Sequence, residues 1–192
     1  MFDWLRIKKS AVAAQPAPAP SEPERGRTML DVLKDRRQLA DWVEEYMILG
    51  RPWEENFQLL PDEDAQRDLE ITFEQKERLA KEYHVLRIAG VLIFVRQNYD
   101  DGSYEATLND LAGRLARALG LDRSDVGQAL DDYVRHSLAG ETNKVETLYM
   151  TRMYDDSPHY LRMKVSGIGR IAVDHIGSSF DIFRDAVNGK LA

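Results

Sequence analysis

Residues 144–165 read KVETLYMTRMYDDSPHYLRMKV, and whether they are strand or helix decides the fold. Val145, Thr147, Tyr149 and Thr151 are β-formers placed two apart. Asp155, Asp156, Ser157 and Pro158 form a turn cluster. From His159 the residues alternate, with Leu161, Met163 and Val165 on one side and Tyr160, Arg162 and Lys164 on the other. The pattern predicts two strands joined at 155–158, a β-hairpin.

Immediately upstream lie two helix patterns. Thr107 suits an N-cap, with Asp110 three residues on, and Leu108, Leu111, Ala112, Leu115 and Leu119 make one apolar stripe closed by Gly120. Ser124 suits the cap of a second helix whose stripe is Val126, Leu130, Val134 and Leu138. Four loop residues cannot let that helix run back antiparallel, so the pair should cross as a helix-turn-helix. A hairpin packed behind such a pair is a wing.

Further upstream, residues 72–99 predict a long helix. Leu79, Tyr83, Leu86, Val91, Phe94 and Val95 mark its buried side, and from Ile88 it is apolar nearly all round. That describes a central strut buried on several sides. Residues 28–50 predict another helix, capped by Thr28, striped by Leu30, Leu33, Leu39, Trp42, Val43 and Tyr46, and ended by Gly50. Trp53, Phe57, Leu59 and Leu60 then form a dense apolar set between Pro52 and Pro61; they cover the core or form an exposed patch. An acidic run at 62–68 predicts a helix start, and residues 99–103 a loop. Downstream, a helix should continue from Arg170 through Ile176 to Gly177. Ser178 or Ser179 should cap a final helix carrying Phe180, Phe183 and Val187. The expected fold is mainly α with a small β-hairpin wing: a winged helix-turn-helix with additional N- and C-terminal helices.

Over residues 80–176 the chain resembles the winged-helix superfamily, most closely regulators of the MarR type. The matching residues are Leu111-Ala112, Arg123-Ser124-Asp125-Val126, and the run from Val165 through Ser166, Gly167, Ile168 and Gly169 to Arg170. That run is similar to the family's Leu-Thr-x-x-Gly-Arg, where the chain leaves the wing and starts a helix. The first helix is about one turn longer than the family's usual spacing, and the second is more acidic. The resemblance implies a DNA-binding regulator that dimerises through its terminal helices, here residues 28–50 and 179–188.

Composition sets the remaining bounds. The 192 residues suit one domain with a tail, and 43% hydrophobic with 31% charged residues is ordinary for a globular protein with a real core. There is no cysteine, so disulfide and thiolate chemistry are excluded. No apolar run is long enough to span a bilayer and no secretory signal is visible, which makes a cytoplasmic location the expectation. The net charge of −7 is opposite to that of a non-specific nucleic-acid binder. Residues 1–27 are expected to be a disordered tip and a Pro/Ala-rich linker, with the domain at 28–192. The tip sets Phe2, Trp4, Leu5 and Ile7 beside Arg6, Lys8 and Lys9. That composition suits docking on a partner or membrane surface, or is simply a frayed start.

Catalytic and metal signals are weak, and the chain is expected to be a non-enzyme without cofactor or metal. The 167–172 run matches G-x-G-x-x-A, but too little chain follows for a βαβ unit. Asp132 and His136 lie one turn apart, which is more simply a surface pair than part of a metal site.

Two functions fit. A homodimeric regulator would bind double-stranded DNA through Arg123, Ser124, Gln128 and Arg135 on the second helix, and Lys144, Arg152, Arg162, Lys164 and Arg170 at the wing. Asp131 and Asp132 on that helix oppose phosphate. A protein–protein adaptor would instead dock through Phe2, Trp4, Leu5 and Ile7, with the basic residues paired to neighbouring acids.

Overall fold

The long helix expected at 72–99 is present and organises the rest. The computed structural model describes residues 36–49, 67 and 69–188. Among these are seven α-helices and no strand. They are α1 (Arg36–Val43), α2 (Phe73–Asn98), α3 (Asp101–Leu119), α4 (Arg123–Leu138), α5 (Thr142–Tyr154), α6 (Tyr160–Val165) and α7 (Arg170–Val187), with a π-helical turn, Glu44–Leu49, continuing α1.

α2 starts at a reciprocal cap. Thr72 Oγ1 accepts the Gln75 N–H at 3.2 Å, and the Thr72 N–H donates to Gln75 Oε1 at 3.0 Å, which satisfies two otherwise orphaned groups. Beyond it, Val85, Leu86, Ile88, Ala89, Val91, Leu92 and Val95 are almost wholly buried, as an all-round apolar helix requires. α7 provides the largest cover, with α3, α4 and α5 on other sides. Gly90 lets α7 in: a Cβ there would lie 2.7 Å from the Ile176 carbonyl oxygen and 2.8 Å from the Phe180 nitrogen. α3 and α4 are joined through Gly120, which is left-handed at φ 64°, and pack on each other, so the expected helix pair exists.

The hairpin does not. Residues 142–154 and 160–165 are helices, separated by the turn at 155–159. The reason lies in which side chains can be buried together. In the helix, Val145, Tyr149 and Met153 follow at i, i+4 and i+8, with Met150 and Tyr154 beside them, and all five are buried. Thr147 and Thr151, which a strand would place with Val145 and Tyr149, are exposed. Burying two tyrosines and two methionines outweighs the modest β-propensity of two threonines. In α6 only Met163 is buried; Leu161 and Val165, expected on the same inward face, point outward.

Smaller differences have local causes. Residues 99–103 are not a loop, because Asp100 caps α3 by accepting the Ser103 N–H at 2.9 Å. Thr107 therefore sits inside the helix, buried, its hydroxyl donating to the Ser103 carbonyl. Asp122, not Ser124, caps α4, accepting the Asp125 N–H at 2.9 Å. α7 runs unbroken through Gly177 and Ser178 rather than restarting there. The tip, the linker, the first turns expected at residues 28–35, and the 52–61 and 62–66 segments lie outside the described residues.

Leu39 and Val43 of α1 and Phe183 and Val187 of α7, assigned to dimer helices by resemblance, are buried within the chain. Trp42 meets Phe183 at 5.7 Å between ring centroids. Arg114 of α3 fastens α1 and its π turn, reaching Asp41 at 2.8 Å and also Glu44. No helix of the described residues is long and apolar enough to cross a membrane.

Candidate functional site

Arg152 on α5 carries the densest polar network. Its guanidinium grips Glu82 of α2 through Nε at 2.8 Å and Nη2 at 3.1 Å. It also grips Asp125 of α4 through Nη1 at 3.0 Å and Nη2 at 3.2 Å. Tyr133 of α4, fully buried, donates its hydroxyl to the same Glu82 oxygen that Nε holds, at 2.7 Å. Two fork-shaped contacts from one guanidinium suit arginine alone. Burial works against the Arg152 charge, but Glu82, and then Asp125, outweigh it and raise its pKa above the usual arginine range. Burial, then the nearby Glu82 charge, pushes the Tyr133 hydroxyl well above the ordinary tyrosine value.

This network floors a cleft of about 560 Å³ walled by the start of α2, the start of α4 and the end of α5. The rim is also paired: Arg78 reaches both carboxylate oxygens of Asp156 at 2.8–2.9 Å, and Lys81 meets Glu77 at 2.9 Å. A site for proton transfer needs a group poised between two states; here a guanidinium saturated by two carboxylates does none of that. The arrangement clamps three helices.

The other expected nucleic-acid contacts are scattered and mostly neutralised. Arg123 donates to the Asn109 carbonyl at 3.2 Å, and Arg135 pairs with Asp132. Gln128 donates to Asp132 at 2.9 Å, and Ser124 is exposed. Lys144 pairs with Glu141 at 2.7 Å, and Arg170 lies 3.6 Å from Asp174. Asp131 of α4, half-buried, accepts from the hydroxyl of Tyr104 on α3 at 3.2 Å. Arg162 and Lys164 are different: both are exposed and neither has an ion pair with a described residue.

His136 turns its Nδ1 to Glu141 at 2.7 Å rather than sharing an ion with Asp132. Among the described residues no group of three or more histidines and acids could hold a metal ion. Of the glycines in the 167–172 run, one serves a turn and one packing. Gly167 takes a left-handed turn at φ 80°, and Gly169 brings the start of α7 within about 3.0 Å of Glu146 on α5, measured from an added Cβ.

Two features escape sequence inspection. Glu82 occupies the same stripe of α2 as Gln75, Leu79 and Leu86, all buried; a polar residue on an inward stripe was the available signal. The second is the outer face of α6. Leu161 is 76% exposed and Val165 89%, the two highest values among the described large hydrophobic residues. Phe2, Trp4, Leu5 and Ile7 lie outside the described residues. No protein-family model, curated protein or solved structure matches the chain.

Proposed function

We propose that the chain is a helical docking adaptor that binds a partner or membrane surface through exposed apolar-basic elements. One observation carries this reading: α6 holds Leu161 and Val165 in solvent with the exposed cations Arg162 and Lys164 beside them. Isolated exposed apolar residues are ordinary on protein surfaces. A pair on one helix turn, flanked by cations that have no ion pair with a described residue on a chain of net charge −7, gathers apolar and positive surface at one place. The first nine residues repeat that composition at the end of a Pro/Ala-rich tether, which suits a second docking element.

A winged-helix regulator would rest on a basic wing and a recognition helix able to face phosphate. Here the wing segment is helical, and Arg135, Arg152, Lys144 and Arg170 sit with carboxylates. A mobility-shift titration of the full chain against genomic DNA fragments at low salt tests the choice. The adaptor expects no retarded band. A band that weakens steeply with salt and is lost in Arg162→Glu/Lys164→Glu overturns it in favour of DNA binding.

A further inference from the structure

We infer that α6 is a membrane-contact element whose occupant is an anionic phospholipid surface; this rests on the adaptor reading and narrows it. The argument begins with Met163, which is fully buried and faces the core. At about 100° per residue, Leu161 and Val165 lie one turn apart on the opposite side of the helix. Anchoring Met163 inward therefore forces both outward, where the structure has them.

The same geometry places the charges. Arg162 and Lys164 fall about 80° to either side of the midpoint between Leu161 and Val165. The face is an apolar ridge with one cation on each flank. That is how an interfacial helix is built, its apolar side chains entering the acyl boundary while Lys and Arg reach sideways to phosphate. The Ser166 hydroxyl donates to the Met163 carbonyl at 2.7 Å, and the Ser157 hydroxyl accepts the His159 N–H at 3.2 Å, so both flanks of α6 are tied.

An acidic protein groove fits less well. Groove recognition of a helix reads anchors at i, i+3 or i+4, and i+7, across two turns. α6 is six residues long and offers one turn of anchors between two bends. A bilayer needs no second turn, because it accepts a small protruding ridge at any rotation about the membrane normal. The neighbouring charges are Asp155, which is exposed; Asp156, held by Arg78; Glu70, 3.4 Å from His159 at the start of α6; and Arg170 with Asp174. None of these carboxylates is paired to Arg162 or Lys164.

One short ridge gives weak, reversible attachment.

The test is co-sedimentation of the full chain with vesicles of phosphatidylcholine, with and without phosphatidylglycerol. The chain should sediment only with the phosphatidylglycerol vesicles. Leu161→Ser/Val165→Ser and Arg162→Glu/Lys164→Glu should each lower partitioning by at least about tenfold, since one cation near an anionic surface contributes roughly fivefold. Helical circular dichroism should be unchanged in both. Deleting residues 1–9 should leave binding that is still lost in either α6 variant. Failure of the full chain to bind, or binding that survives both α6 variants, overturns the inference. Capture of an acidic amphipathic peptide in place of vesicles also overturns it, yet spares the adaptor; retarded DNA removes the adaptor itself.

Discussion

Arg152 shows how far one side chain can decide whether three helices stay together. Its partner Glu82 is 2% exposed, so removing the guanidinium leaves a carboxylate in the interior with only a tyrosine hydroxyl for company. Breaking one member of such a pair costs about 3–5 kcal/mol. Arg152→Ala should therefore lower the melting temperature by on the order of 10 °C. Glu82→Leu/Tyr133→Phe/Arg152→Leu, which leaves no stranded charge, should recover most of that in a urea titration. Arg152 stood out in the sequence as a cation near other cations. Its actual use was not legible, because its carboxylates lie 70 and 27 residues away and no local pattern links positions so far apart.

His84 acts through its absence of charge. It is fully buried on α2 and its Nδ1–H donates to the Met47 carbonyl in the π turn at 3.3 Å. Burial lowers its pKa from 6.5 to about 4 against the opposing effect of that hydrogen bond. Between those pH values the unfolded chain binds a proton there that the folded chain refuses. Stability is thus highest above pH 6.5, falls as pH drops through the window, and loses no more from this group below about 4. The loss amounts to about 3 kcal/mol in all. Urea unfolding across that range should show the slope, and His84→Gln should flatten it. A shallower slope should remain from His175, which burial also shifts downward.

At the scale of elements, closeness of approach separates two glycines that look alike in sequence. At Gly90 an added Cβ would collide with α7 backbone at 2.7–2.8 Å. Gly90→Ala should cost about 1–3 kcal/mol, because backbone cannot step aside as a flexible side chain can. At Gly102, in the first turn of α3, the nearest atom would be Asp100 Oδ1 at an ordinary 3.4 Å. Gly102→Ala should be neutral or stabilise by up to about 1 kcal/mol. Thermal unfolding of the two variants side by side checks both signs.

Length explains which elements could be read beforehand. α2 carries an apolar stripe and then an all-round apolar run over 26 residues, and announces its start with Thr72 and Gln75. α5 and α6 have 13 and 6 residues, too few for a 3.6 period to stand clear of a period of two. Their state was settled by what packs on them: α4 and α7 receive Tyr149, Met150, Met153 and Tyr154 only when those residues share a helical face. The outer face of α6 was hidden by the same ambiguity, since alternation puts Leu161 and Val165 inside with Met163.

For the molecule as a whole, charge is unevenly placed. Acids exceed bases by seven, and at α4 the cap Asp122 is exposed and Asp131 partly accessible, whereas Asp125 and Asp132 are held by Arg152 and Arg135. An anionic plane draws in Arg162 and Lys164 against the net negative charge of the rest of the chain, so approach would be oriented before contact. Raising ionic strength shortens the reach of both effects.

The cover that α7 gives α2 also bears on how the protein is made. Synthesis runs from the N-terminus, so the central helix α2 emerges well before its main partner. Until Ile176 and Phe180 can close on Gly90, the nascent strut stands bare on that side, and it is in this interval that the growing chain most needs protection from aggregation.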